Sequence, residues 1–347
     1  MAILRGKGRP ISRVGIGAVL LLLAATAGGF AYNDLSIRHY RQLHPAPGKL
    51  YSVDGYQMHL YCTGTGEPTI LLEAGQGGDW TTWGTVQPGL EKITRTCSYD
   101  RAGLGWSDSR PGARDSNAIA EQLHQLIEAA GLRGQLLMVA RSAGGLHARA
   151  FLHRYPQDVA GLVLIDASTP EQVERFPARV RASWDAYHRQ LFWDRWLATF
   201  GVTRLRGRCG VGGWGASAAW SPADDDCFPP GLATARREAG DFPASAAETL
   251  HTGPFPAIPV LIFSQDPSLR TPGVPEAEQA ETAEIWNSLQ EGLKNLSPRS
   301  RRIIAHDSRH HIEQYRPDLL VDEISHLVQQ LRGTSPEPAN WGSTTTL

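Results

Sequence analysis

Ser142 stands in Leu136-Leu137-Met138-Val139-Ala140-Arg141-Ser142-Ala143-Gly144-Gly145, an apolar run that ends in a tight small-residue turn carrying one hydroxyl. A serine so placed is lifted above the end of a strand, and it attacks a carbonyl when a neighbouring base takes its proton. Strand and departing helix nearly touch around such a turn, so small residues are needed two before and two after the serine. Gly144 meets that need, and Ala140 meets it with one methyl group more than the commoner glycine. Candidate bases lie far downstream: His310 in Ser308-Arg309-His310-His311-Ile312, with His306 and His311 beside it. Two aspartates follow apolar runs, Asp166 after Val163-Leu164-Ile165 and Asp266 in Phe263-Ser264-Gln265-Asp266-Pro267. Either would orient an imidazole and stabilise its cation. Serine, histidine and aspartate are together the residue types of acyl transfer through a covalent intermediate. Cysteine and histidine nowhere fall at metal-ligand spacing, so neither metal nor cofactor is expected.

The elements that must position these groups alternate between short apolar strands and helices. Leu50 to Thr63 reads as a hairpin bending at Asp54-Gly55. Further strands are expected at Thr69–Leu72, Thr94–Tyr99, Leu136–Val139, Val159–Ile165, Val260–Phe263 and Arg302–Ala305. Helices are expected from Asp115, a capping residue, to Gly131, and at Leu146–Tyr155, Glu276–Leu293 and Asp318–Leu331. Such alternation predicts a mostly parallel sheet with helices on both faces. Between Glu171 and Pro254 the pattern changes to an aromatic helical stretch with Trp184, Tyr187, Leu191, Trp193, Trp196 and Phe200, then glycine-rich and proline-rich loops. This reads as a helical cap inserted over the sheet.

At 347 residues the chain has room for one large α/β domain with an insertion, and a net charge of −1 gives no reason to expect a nucleic-acid partner. Arg5, Lys7, Arg9 and Arg13 precede an uncharged run from Val14 to Tyr32, and Asp34 is the first charge beyond it. That run is long enough to span a bilayer. Its basic flank places the N-terminus in the cytoplasm and the remainder across the membrane, periplasmic or extracellular. Ala25-Thr26-Ala27 resembles a cleavage site, which would instead release the protein, while the uninterrupted length to Tyr32 favours a retained anchor. Four cysteines suit an oxidising compartment, with Cys62 expected to pair with Cys97 and Cys209 with Cys227. The expected organisation is a cytoplasmic segment 1–13, an anchor 14–32, a linker 33–48, core halves 49–170 and 254–332 around a cap 171–253, and a disordered tail 333–347.

From about Leu50 to Arg332 the chain resembles the α/β-hydrolase fold superfamily. The likeness rests on Glu73-Ala74-Gly75-Gln76-Gly77-Gly78, Tyr99-Asp100-Arg101-Ala102-Gly103-Leu104-Gly105-Trp106-Ser107, the turn at Ser142 and Ser308 to Ile312, in that order. It is most similar to an exported, membrane-anchored branch with a Tyr-Cys-Thr-Gly strand, here Tyr61 to Gly64. The resemblance implies Ser142 as nucleophile and His310 as base, with His311 at the aromatic position that commonly follows. Asp266 is at the usual position of the acid and Asp166 is where some branches place it. The oxyanion hole would be the backbone N–H groups of Gln76 and Ala143. A phosphate cradle is the weaker reading of the glycine-rich turn, because GxGxxG spacing and a Walker lysine are both missing.

Arg309 replaces the usual glycine and would depress the basicity of the neighbouring imidazole unless it points away. Asp100 and Arg101 read as scaffold, while Trp80 and Trp83 either line an acyl pocket or pack the first helix. The implied activity is hydrolysis of a small acyl substrate, foremost a carboxylic ester. Amide cleavage and cofactor-free C–C hydrolysis on the same triad stand as alternatives, as does a non-catalytic binding protein on this fold, motivated by the departures at Ala74, Ala140, Arg141 and Arg309.

Overall fold

The computed structural model describes residues 13–209, 227–271, 273–337 and 340–347. Arg5, Lys7 and Arg9 of the basic flank, and the glycine-rich stretch after Cys209, lie outside the described residues. Among the described residues nine strands form one sheet in the order β1-β2-β4-β3-β5-β6-β7-β8-β9. They are β1 (Lys49–Val53), β2 (Tyr56–Thr63), β3 (Thr69–Glu73), β4 (Thr96–Tyr99), β5 (Leu136–Arg141), β6 (Val159–Ile165), β7 (Val260–Gln265), β8 (Ser300–Ala305) and β9 (Thr344–Thr346). Only β1 with β2 and β2 with β4 pair antiparallel; every other pairing is parallel. The α/β-hydrolase fold expected from the motifs is thus the fold observed.

Helices α1 (Arg13–Leu43), α2 (Gln87–Leu90), α3 (Ser116–Ala130) and α4 (Gly144–Arg154) precede β6. Between β6 and β7 come α5 (Gln172–Arg175), α6 (Ala178–Thr199), α7 (Val202–Leu205) and α8 (Pro229–Thr249). The chain finishes with α9 (Gln279–Gly292), α10 (Ile312–Tyr315) and α11 (Pro317–Leu331). Asp115 caps α3 through its carboxylate, which accepts the N–H of Ala118, as the sequence suggests.

Strands β3, β5 and β6 are buried on both faces, which explains their near-continuous apolar sequences. Alternate residues feed two cores. Leu71, Met138 and Leu164 face one, and Leu72, Val139 and Val163 face the other. Cys62 and Cys97 sit opposite each other in the β2–β4 register with Cα atoms 4.0 Å apart, and they are joined, as are Cys209 and Cys227.

Two expectations about the ends change. The presumed linker 33–48 is helical as far as Leu43, because α1 runs on past the apolar stretch without a break. Part of that helix, Gly15–Leu43, is long and apolar enough to cross a membrane. The tail is not wholly unstructured either: Thr344–Thr346 adds β9 to the sheet edge, pairing with Arg302, Ile303 and Ile304. Threonine suits a strand by its β-branched side chain, which a reading by polarity overlooks.

Candidate active site

The turn between β5 and α4 forces Ser142 into a left-handed conformation, φ 50°, a strained state for a residue with a side chain. Its surroundings hold it there. The N–H of Ser142 donates to the carbonyl of Ile165 (3.1 Å), and its own carbonyl accepts from Gly145 (2.9 Å) and Ser168 (2.9 Å). Glycine is required at 144, because a Cβ there would lie 2.5 Å from the carbonyl oxygen of Ala74 and 2.9 Å from that of Glu73. Ala140 is fully buried within β5, in the same core cluster as Ala148 of α4.

His310, on the loop between β8 and α10, brings Nε2 to 3.1 Å from Ser142 Oγ and Nδ1 to 2.6 Å from Asp166 Oδ2. A proton on Nδ1 is donated to the carboxylate, leaving the Nε2 lone pair facing the serine hydroxyl. Asp166 is completely buried, and its other oxygen accepts the Gln265 N–H (3.0 Å) and the Trp286 indole N–H (2.8 Å). Three donors on one aspartate fix the plane against which the imidazole is oriented.

Asp266, preferred from the family pattern, is not the partner of His310. Its Oδ1 accepts from the N–H (2.9 Å) and hydroxyl (2.6 Å) of Ser268, and its Oδ2 accepts the Asp307 N–H (3.1 Å). Burial pushes its carboxyl up, but these hydrogen bonds and nearby His306 outweigh that and hold it below its ordinary range. The physical reason for the exchange is strand order. Asp166 follows β6, whose Ile165 pairs with Arg141 just before the serine, whereas Asp266 follows β7, one strand further out.

His306 is exposed at the end of β8. It joins Asp266 and Asp307 in a group whose ligand atoms lie within 4.8 Å of one another. Both oxygens of Asp266 are already engaged within the protein and the other two side chains face solvent, so this group has no built cavity for an ion. His311 packs at 5.5 Å from the His310 ring but belongs to a different cluster. Its Nδ1 lies 3.0 Å from Glu313 and 3.2 Å from Arg141. Burial raises the Glu313 carboxyl, and the hydrogen bond from His311 with the charge of Arg141 reverses this and holds it low. Arg309 is exposed.

The oxyanion candidates fall where the turns place them. Neither the Gln76 nor the Ala143 N–H has an acceptor among the described residues, which leaves both available to a substrate oxygen. The loop carrying Gln76 is held by residues that no motif announces. Arg101 donates to the carbonyls of Ala74 (2.9 Å) and Gly75 (2.7 Å), and Glu238 of α8 accepts the Gly77 N–H (2.8 Å).

Arg101 pairs with Glu238 (2.7 Å) and Glu73 (2.6 Å) in the interior. Burial opposes the charge of Arg101, yet the two carboxylates more than compensate and keep its proton bound more tightly than usual. Asp100 is scaffold, as expected: it accepts the Trp80 (2.8 Å) and Trp106 (2.9 Å) N–H groups and faces His59 Nδ1 (2.7 Å). Trp83 is fully buried in the core, and Trp80 packs edge-on to Tyr61 and His59. The sequence carried no local signal for Glu238 or Trp286, because their helices, one inside the insertion and one after β7, meet these loops only after folding.

A family model described as alpha/beta hydrolase fold matches residues 68–201. An uncharacterized protein of Schizosaccharomyces pombe is 26% identical over 237 residues, covering 59% of this chain and 43% of that protein. The chain spans less than half the length of the first curated relatives it matches. Among solved structures, a thermophilic esterase from Thermogutta terrifontis superposes with TM-score 0.57 at 19% identity, covering 82% of this chain and 98% of the esterase. A putative epoxide hydrolase from Pseudomonas aeruginosa superposes with TM-score 0.58 at 17% identity, covering 84% and 98%. With its sheet order, the family model matching residues 68–201 and these structural neighbours, the chain has the α/β-hydrolase fold.

Proposed function

We propose that this protein is a serine hydrolase of carboxylic esters, held in a membrane by α1 with its catalytic domain on the extracytoplasmic side. The observation that carries the chemistry is the Ser142–His310–Asp166 relay, 3.1 Å and 2.6 Å, with its acid buried. In this reading His310 takes the Ser142 proton as Oγ adds to the ester carbonyl, and Asp166 stabilises the imidazolium. The oxyanion is met by the N–H groups of Gln76 and Ala143. His310 then protonates the departing alcohol, and water activated by the same imidazole releases the acyl group from Ser142. Fold neighbours include both esterases and epoxide hydrolases, so the fold alone does not choose the reaction. Serine at the turn favours acyl transfer, since epoxide opening in this fold uses an aspartate nucleophile there.

The apolar span and the disulfides support the cellular placement. A fluorophosphonate probe tests the reading. Expected is one adduct, on Ser142, absent from Ser142→Ala; no adduct on the folded protein, or one that survives the substitution, overturns it. Chromogenic esters of graded acyl length then measure the pocket, and the matching anilides separate esterase from amidase.

A further inference from the structure

A linker over residues 33–48 was expected between anchor and enzyme, but α1 runs through most of it and is fastened to the rest of the protein at three levels. At Gly29 the backbones of α1 and the α6–α7 turn touch: a Cβ on Gly29 would collide with the Phe200 carbonyl, and one on Gly201 would lie 2.6 Å from the Gly29 oxygen. One turn on, Asn33 is buried, donating to the carbonyl of Cys227 (3.2 Å) and accepting from Arg204 Nε (3.0 Å). Beyond it the Arg41 guanidinium lies over the rings of Trp106 (4.9 Å) and Phe228 (4.6 Å) and donates to the Gly105 carbonyl (2.7 Å). From Gly29 to Arg41 these contacts extend over about 18 Å of helix. A helix held at both ends of such a length fixes direction as well as distance.

The same geometry sets the depth of the insertion. The uncharged stretch of α1 ends at Tyr32, so Gly29 belongs to its last turn, and Phe200 touches the helix there. If α1 crosses a bilayer, the C-terminal end of α6 therefore stands at the membrane–water boundary. That end is unusually apolar for a surface. Trp193 is 63% exposed, Trp196 45% and Leu205 of α7 70%, while Trp196 stacks on Phe200 with ring centres 5.5 Å apart. Residues 193, 196 and 200 share one helical face. Arg195, Arg206 and Arg208 are exposed around it. Exposed tryptophan costs hydration free energy in water but suits the headgroup layer, where its ring is buried and its N–H stays wet. Arginines at the rim can reach phosphates while their stems cover apolar surface.

We infer that Trp193, Trp196 and Leu205 form a docking face seated in the headgroup layer of the bilayer that α1 spans. The inference rests on reading α1 as a membrane anchor, part of the function proposed above. It adds that the catalytic domain is held against the membrane in one orientation by its inserted helices, instead of swinging on a tether.

All four native cysteines are joined in pairs, so a single introduced thiol can be labelled selectively. The full chain, reconstituted in phosphatidylcholine nanodiscs, is compared as Phe30→Cys, Trp193→Cys, Leu205→Cys and Asp54→Cys, each carrying bimane. Expected are blue-shifted emission, several-fold weaker quenching by iodide and strong quenching by a headgroup nitroxide lipid at 30, 193 and 205, with position 54 in water. If position 30 is embedded while 193 and 205 are quenched by iodide as readily as 54, the docking face is overturned and the anchor stands. If position 30 is itself in water, the anchor fails and the docking face fails with it. Protection at 193 and 205 that appears only with more than one chain per disc assigns the face to a second copy and also overturns the proposal.

Discussion

The two aspartates are used differently, one meeting the His310 imidazole and the other building a loop. Asp166 presents one oxygen to His310 and binds two further donors through the other. Asp266 spends both oxygens on Ser268 and Asp307, tying the loop after β7 to the one that bears the histidine. Asp166→Asn puts an amide where the imidazole needs an anion and is expected to lower kcat about 10,000-fold. Asp266→Asn keeps an acceptor for Ser268 and is expected to leave kcat within about tenfold of wild type, the scale set by one weakened neutral hydrogen bond. Steady-state ester hydrolysis by both variants checks this. Comparable collapse in the two, with both folded, would contradict the assignment.

Among the elements, α8 reaches furthest into the site. Through Glu238 it holds Arg101 and the Gly77 N–H together, so the loop that offers Gln76 is braced by a helix from the insertion. Glu238→Ala leaves Gly77 without its acceptor and removes one of the two carboxylates facing a buried guanidinium. Removing one partner of such a pair is expected to cost about 3–5 kcal/mol of stability. Glu238→Gln keeps an acceptor and most of the volume, so it retains more stability. A structural role alone predicts that folded Glu238→Ala enzyme turns over normally. A role in positioning the oxyanion loop predicts a fall in kcat with little change in KM, partly restored by Gln, and weaker binding of a boronic acid analogue. Urea titration and steady-state kinetics on the same preparations separate the two.

For the molecule as a whole, the pH dependence of folding carries a signature of its interior. His147 of α4 is buried, with Nδ1 2.9 Å from the Ser116 hydroxyl and Nε2 without a partner among the described residues. Burial, and then the charge of Arg101, hold its pKa well below the ordinary value. The folded state therefore keeps this ring neutral while the unfolded chain protonates it near pH 6.5. Its contribution to stability is complete above that pH and is lost as pH falls, by about 1.4 kcal/mol per pH unit. Buried Asp79 acts in the opposite sense: burial and then Asp100 push its carboxyl up to about 6, so protonating it on acidification favours the fold. Comparing His147→Asn with wild type removes that shared term. Urea unfolding in detergent micelles at pH 7.5 and 5.5 is expected to give a flatter pH dependence for the variant. An unchanged slope would mean the ring is protonated in the fold.

The sequence by itself determined what depends on neighbours along the chain. A strand, a serine, and small residues two either side form a local steric pattern, and Gly144 against the Ala74 carbonyl is the contact that enforces it. The capped helix at Asp115 and the apolar span were legible for the same reason. Tertiary structure decided what depends on which strand lies next to which. Asp166 and Asp266 end similar apolar strands whose axes are about 4.8 Å apart, so their local sequences could not rank them. The path of the loop from β8 placed His310 beside the inner one. Likewise no local pattern joins Glu238 to Gly77, 161 residues away, or makes α1 a strut by docking Asn33 and Arg41 on distant loops. These contacts are selected by the complementarity of surfaces that exist only once the sheet and its insertion have assembled.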